Sequence, residues 1–107
     1  MIHGYFDGAG RPRLTVSLFG NRGETTIDAL IDTGFDGALC VPIPIAIPLG
    51  LELYGDHTYE LADGTIKQEL TYRAIVHLGE ETHQTEIILT ESEDALLGSE
   101  LLEGYTL

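Results

Sequence analysis

Short alternations of apolar and polar residues, broken by turn formers, recur along this chain and limit what it can become. Leu14-Thr15-Val16-Ser17-Leu18-Phe19 puts Leu14, Val16 and Leu18 on one face of an extended strand. Gly20-Asn21-Arg22-Gly23 reads as a tight turn and residues 25–31 as the returning strand of a hairpin. Tyr59-Glu60-Leu61-Ala62 and Thr65-Ile66-Lys67 flank Asp63-Gly64, a pair suited to the positive φ angles of a type I′ turn. Residues 72–78 and 85–90 form two further strands around a Gly79-Glu80-Glu81 turn. Residues 41–50 are apolar, but Pro48 obstructs a helix begun at Pro44, so the segment is expected to be irregular with at most one helical turn. Only residues 99–104 look helical, with Ser99 as the cap and Gly104 as the stop. Many short strands and one short C-terminal helix predict an all-β fold, a closed β-barrel, in one domain over residues 1–107. Tyr105-Thr106-Leu107 reads as the start of another strand, which leaves room for a longer native chain.

Charge narrows the function classes. Five Lys and Arg against eighteen Asp and Glu give a net charge of −13, a surface that repels phosphate backbones and anionic lipid. Neither nucleic acid nor membrane is expected as a partner, and the simplest use of the charge is solubility. The first residues lack the basic and apolar regions of a signal peptide. No apolar stretch approaches the roughly twenty residues that span a bilayer, so a cytoplasmic protein is the expectation. Cys40, alone in the chain, can form no intrachain disulfide and reads as a small buried hydrophobe. His3, His57, His77 and His83 lack metal-ligand spacing, and the thirteen glycines contain no phosphate-binding loop. Glu91-Ser92-Glu93-Asp94 reads as a solvated acidic loop. Neither metal nor cofactor is expected.

The residues with chemistry to offer are Asp32-Thr33-Gly34, which follow the apolar run Ala29-Leu30-Ile31. A strand that ends in an Asp, a small hydroxyl residue and a Gly sets a carboxylate on backbone able to turn sharply. An ionisable group in partly apolar surroundings is costly unless it is used or paired. Read alone, the Asp is equally at home as a turn former. A second element, Ala95-Leu96-Leu97-Gly98, reads as a buried strand leading into the helix.

Together the two elements resemble those of the retropepsin-like aspartic proteases, most nearly the small bacterial and archaeal group whose motif runs Asp-Thr-Gly-Phe, here Asp32-Thr33-Gly34-Phe35 before Asp36-Gly37. The resemblance covers most of the chain and implies a retropepsin-like barrel. It implies that Asp32 is the catalytic carboxylate of an aspartic endopeptidase. Thr33 would bond across a dimer axis, and Gly34, Phe35 and Asp36 would complete the active-site loop. Residues 59–67 would form a flap, with Tyr59, Leu61 and Ala62 on one arm and Asp63 and Gly64 at the tip. Leu96, Leu97 and Gly98 would support the loop from beneath. Retroviral members usually carry an Arg directly after this last Gly, whereas Ser99 and Glu100 stand here, so Asp36 lacks that partner. The flap turn also has one Gly where others have several.

The chemistry needs two carboxylates, one ionised to activate water and one protonated to polarise the peptide carbonyl. Only one Asp-Thr-Gly occurs, so an active enzyme implies a homodimer in which each chain supplies Asp32, acting on a peptide or unfolded protein. The alternative is a non-catalytic peptide-binding or dimerisation module on the same fold.

Overall fold

Leu14, Val16 and Leu18 face inward as their spacing predicts, and all three are buried in the second strand of the computed structural model, which describes residues 4–60 and 62–103. Strands β1 (Gly4–Phe6), β2 (Pro12–Phe19) and β3 (Glu24–Ile31) form an antiparallel meander in which Val16 pairs with Ile27 and Leu14 with Ala29. The turn between β2 and β3 is closed by Gly20 N–H donating to Gly23 O at 2.9 Å. Arg22 N–H also donates to Leu49 O at 2.9 Å, which docks this turn on the segment that follows β4.

Strand β4 (Leu39–Pro42) is buried at all four positions because it has a strand on either side: it runs parallel to β7 (Glu81–Thr90) and antiparallel to β8 (Leu96–Leu97). Its uninterrupted apolar sequence is that of a strand with no solvent face. Cys40 lies within it, buried as expected, and burial pushes its thiol pKa up, which suits an inert side chain. Next come one α-helical turn, α1 (Ile43–Ala46), and a 3₁₀ turn over Ile47–Leu49. Pro44 and Pro48 each stand in a first turn, where a missing N–H costs little.

Strands β5 (Glu52–Glu60) and β6 (Ile66–Leu78) make a long hairpin, and β6 returns through Gly79-Glu80 to β7. Both arms are longer than the sequence suggests. At the hairpin end, Glu60 is the last residue to pair, with Ile66, so the connection spans five residues and not two. Gly64 has φ of 88° but no non-glycine residue among those described has positive φ, so the expected type I′ turn at Asp63-Gly64 does not form. The Asp63 carboxylate instead accepts from Thr65 N–H at 2.9 Å. Leu61 lies outside the described residues. Between β6 and β7, Glu81 already pairs with Leu78, which leaves a two-residue turn with positive φ at Gly79 alone, the pattern of a type II′ turn.

The sheet runs β1-β2-β3-β8-β4-β7-β6-β5, and a further pairing of β2 with β6 through Leu18 and Val76 closes it on itself. Leu18, Leu39, Val41, Val76, Leu78, Ile87 and Leu97 fill the enclosed core. Fully burying each such side chain contributes about 1.5–3 kcal/mol. Helix α2 (Ser99–Leu102) covers one end with Leu101 and Leu102. Its N-cap is Gly98, and the Ser99 hydroxyl donates to Phe35 O at 3.4 Å, so Ser99 ties the helix to a loop and does not cap it. Gly104 and the expected strand at 105–107 lie outside the described residues. No helix among those described is long and apolar enough to cross a membrane.

A charged cluster fastens this framework where β1, β2, β3 and the segment before β8 meet. Arg13 donates to the Asp7 carboxylate at 2.7 Å, to Asp94 at 3.0 Å and to Asp28 O at 3.0 Å. Arg11 N–H, Arg13 and Ala9 N–H hold the Asp7 pKa far below the usual carboxylate range, and Arg13 lowers that of Asp94. A carboxylate whose folded pKa is depressed stabilises the fold above its unfolded value, about 3.9 for Asp, and that stability is lost as pH falls through the folded value. Thermal unfolding followed from pH 7 to strong acid is therefore expected to show a lower midpoint at pH 7 for Arg13→Ala than for the parent. The fall on acidification should also be shallower in the variant.

Candidate active site

Chain direction and hydrogen bonds bring together the two elements singled out in the sequence. Strand β3 runs parallel to β8, with Leu30 opposite Leu96 and Ile31 opposite Leu97. Leu30 N–H donates to Ala95 O at 2.8 Å, and Asp32 N–H donates to Leu97 O at 3.0 Å. The backbone of Asp32 is thus fixed by the C-terminal segment while its side chain leaves the end of the strand, half-buried.

Beyond Asp32 the chain turns at once. Phe35 N–H donates to Asp32 O at 3.1 Å, and Gly34 N–H donates to Asp32 Oδ1 at 3.0 Å. That second bond holds one oxygen of the carboxylate, to which no other hydrogen bond forms among the described residues. Thr33, Gly34 and Asp36 are exposed, and Phe35 is half-buried.

Three further bonds clamp the loop to the turn before α2: Gly98 N–H to Ala38 O at 2.9 Å, Ser99 N–H to Phe35 O at 2.9 Å and Glu100 N–H to Gly37 O at 3.3 Å. The approach is too close for any side chain at position 98. A Cβ there would stand 2.1 Å from Gly37 O, 2.6 Å from Phe35 O and 2.7 Å from the Phe35 ring. Leu97 is fully buried and Leu96 half-buried beneath this junction.

Two clefts border the loop. One of about 610 Å³ is lined by Thr33, Asp36, Ser99, Glu100, Leu102 and Glu103. The other, about 350 Å³, runs between the loop from Phe35 to Leu39 and the strands that carry His57, Glu69, Thr71, Glu86 and Ile88. Sequence reasoning missed this second wall. Its members carry no motif, and they share one surface only through the register of β5, β6 and β7. The expected flap residues Ala62, Asp63 and Gly64 are exposed, and the backbone of Tyr59 pairs with Lys67.

No protein-family model matches the sequence, and no curated protein does so. Solved structures do match. The protease of simian foamy virus (mac) is similar with a TM-score of 0.64 and 18% identity, over 84% of this chain and 90% of that one. EIAV protease in complex with the inhibitor HBY-793 gives a TM-score of 0.70 and 17% identity, over 96% and 97%. With 84–96% of this chain covered and Asp32-Thr33-Gly34 set on a loop clamped by Leu97 and Gly98, the chain has the retropepsin-like fold of these viral proteases.

Proposed function

We propose that two copies of this chain pair so that their Asp32 carboxylates face one another, and that the pair is an aspartic endopeptidase of the Asp-Thr-Gly-Phe group. The observation that carries this reading is the Asp32 loop: one carboxylate per chain, its backbone held by Leu97 and its side chain by Gly34, with the exposed Thr33 beside it. Two carboxylates brought together share one proton, as aspartic proteases do, which supplies a base for water and an acid for the peptide carbonyl. The hairpin at residues 59–67, with Asp63 and Gly64 at its tip, acts as a lid that closes over an extended peptide.

Assembly has two opponents at neutral pH. Each chain carries −13, so the surfaces repel, more strongly at low salt. The facing carboxylates also repel until one takes up a proton. Association coupled to proton uptake strengthens as pH falls, so the dimer is expected to be tightest in mild acid, with salt helping at neutral pH. Sedimentation across pH at two salt concentrations, with hydrolysis of an unfolded protein measured on the same samples, tests the reading. Activity per chain should fall on dilution together with the dimer. A peptide-like inhibitor should slow hydrogen exchange at residues 62–67. Constant activity per chain in a purely monomeric sample would overturn the shared site.

A further inference from the structure

The cleft between the Phe35–Leu39 loop and strands β5 to β7 has a composition suited to one kind of guest. Phe35 and Ile88, both half-buried, give it apolar walls, while Asp36, Glu69, Glu86 and Glu100 bring four carboxylates to it. Of the charged neighbours that offset them, His57 pairs with Glu86 at 3.3 Å, and Arg73 stands over the Tyr54 ring in an adjoining cleft that shares Glu86 and Glu100. A second, independent feature points to a ligand. Thr71, 2% exposed, lines the same cleft, and its hydroxyl is buried with no hydrogen-bond partner among the described residues. A buried hydroxyl left unmade is unfavourable, and a donor entering the cleft relieves it.

We propose that this cleft receives a Lys or Arg side chain of the bound peptide. The aliphatic stem lies along Phe35 and Ile88, and the cationic head reaches the carboxylates and the Thr71 hydroxyl. An organic cation fits better than a metal ion, because no group of three or more His, Cys, Asp or Glu among the described residues is placed to hold one. The proposal names a substrate class, peptides with a basic residue at one fixed position from the scissile bond. It rests on the protease reading for the direction in which the peptide lies.

The test uses short fluorescein-labelled Ala/Ser peptides in which a single Lys is walked along the sequence, each beside its norleucine counterpart. Binding to the Asp32→Asn dimer is followed by fluorescence anisotropy. One Lys position should bind about tenfold tighter than norleucine. Glu69→Gln with Glu86→Gln should erase that preference, while Thr71→Val should reduce it. Equal affinity for Lys and norleucine at every position overturns the proposal. Hydrolysis of unfolded protein by the parent is measured alongside. Asp32-dependent cleavage without a Lys preference overturns the basic subsite alone, and a Lys preference without such cleavage keeps the subsite and overturns the catalytic reading.

Discussion

Asp32→Asn is expected to lower peptide hydrolysis about ten-thousand-fold, the upper end of what general acid–base groups contribute. In a symmetric pair one substitution removes both members of the dyad, so neither the base nor the acid survives. The substitution is also gentle on structure. Asn keeps a side-chain oxygen that can accept the Gly34 N–H bond, now 3.0 Å long, and the Asp32 N–H bond to Leu97 O is a backbone bond. Circular dichroism and the melting midpoint should stay near those of the parent. Equal turnover by variant and parent would remove Asp32 from the chemistry.

Gly98→Ala should have the largest effect on the fold. The new methyl group would need the space of two carbonyl oxygens, those of Gly37 and Phe35, and backbone atoms cannot swing aside as a side-chain end can. Overpacking of this kind usually costs about 1–3 kcal/mol, and a clash with backbone on two sides sets the expectation at about 3 kcal/mol or more. At roughly 4 °C per kcal/mol for a domain of this size, the melting midpoint should fall by about 12 °C. Because the displaced atoms belong to the Asp32 loop, activity should fall further than stability alone explains. A midpoint within a degree or two of the parent would show that the loop gives way freely.

What could be read in advance divides along physical lines. Hairpin β2–β3 was legible because one of its faces is core and the other is not, so Leu14, Val16 and Leu18 announce themselves. The start of β5 was not, because Leu53, Tyr54, Asp56 and His57 are all exposed and leave no alternation to detect. Strand β1 escaped notice for the same reason: Tyr5 and Phe6 are exposed. The meeting of Asp32 with Leu97 was anticipated from the resemblance of two motifs. No local pattern in residues 29–32 or 95–98 requires that parallel pairing. The wall formed by Glu69, Thr71 and Glu86 depends on the register of a long hairpin, which single-residue preferences do not set. Ser99 looked like a cap because its residue type suits one, but the tight contact at Gly98 had already determined how the helix begins.

The pairing of β3 with β8 also sets an order of events. Leu30 and Leu96 are neighbours in the sheet although 66 positions apart in the chain (96 − 30). Closing so large a loop is entropically unfavourable and slow compared with forming hairpins. The meander at the N-terminus and the β5–β6–β7 ribbon can each form from local contacts. The seat of Asp32 requires Ala95 and Leu97 to arrive and accept the amides of Leu30 and Asp32. During synthesis, a chain still lacking residues 95–97 holds the Asp32 carboxylate on an unfinished loop, so the seat of that side chain forms only after this distant segment has emerged.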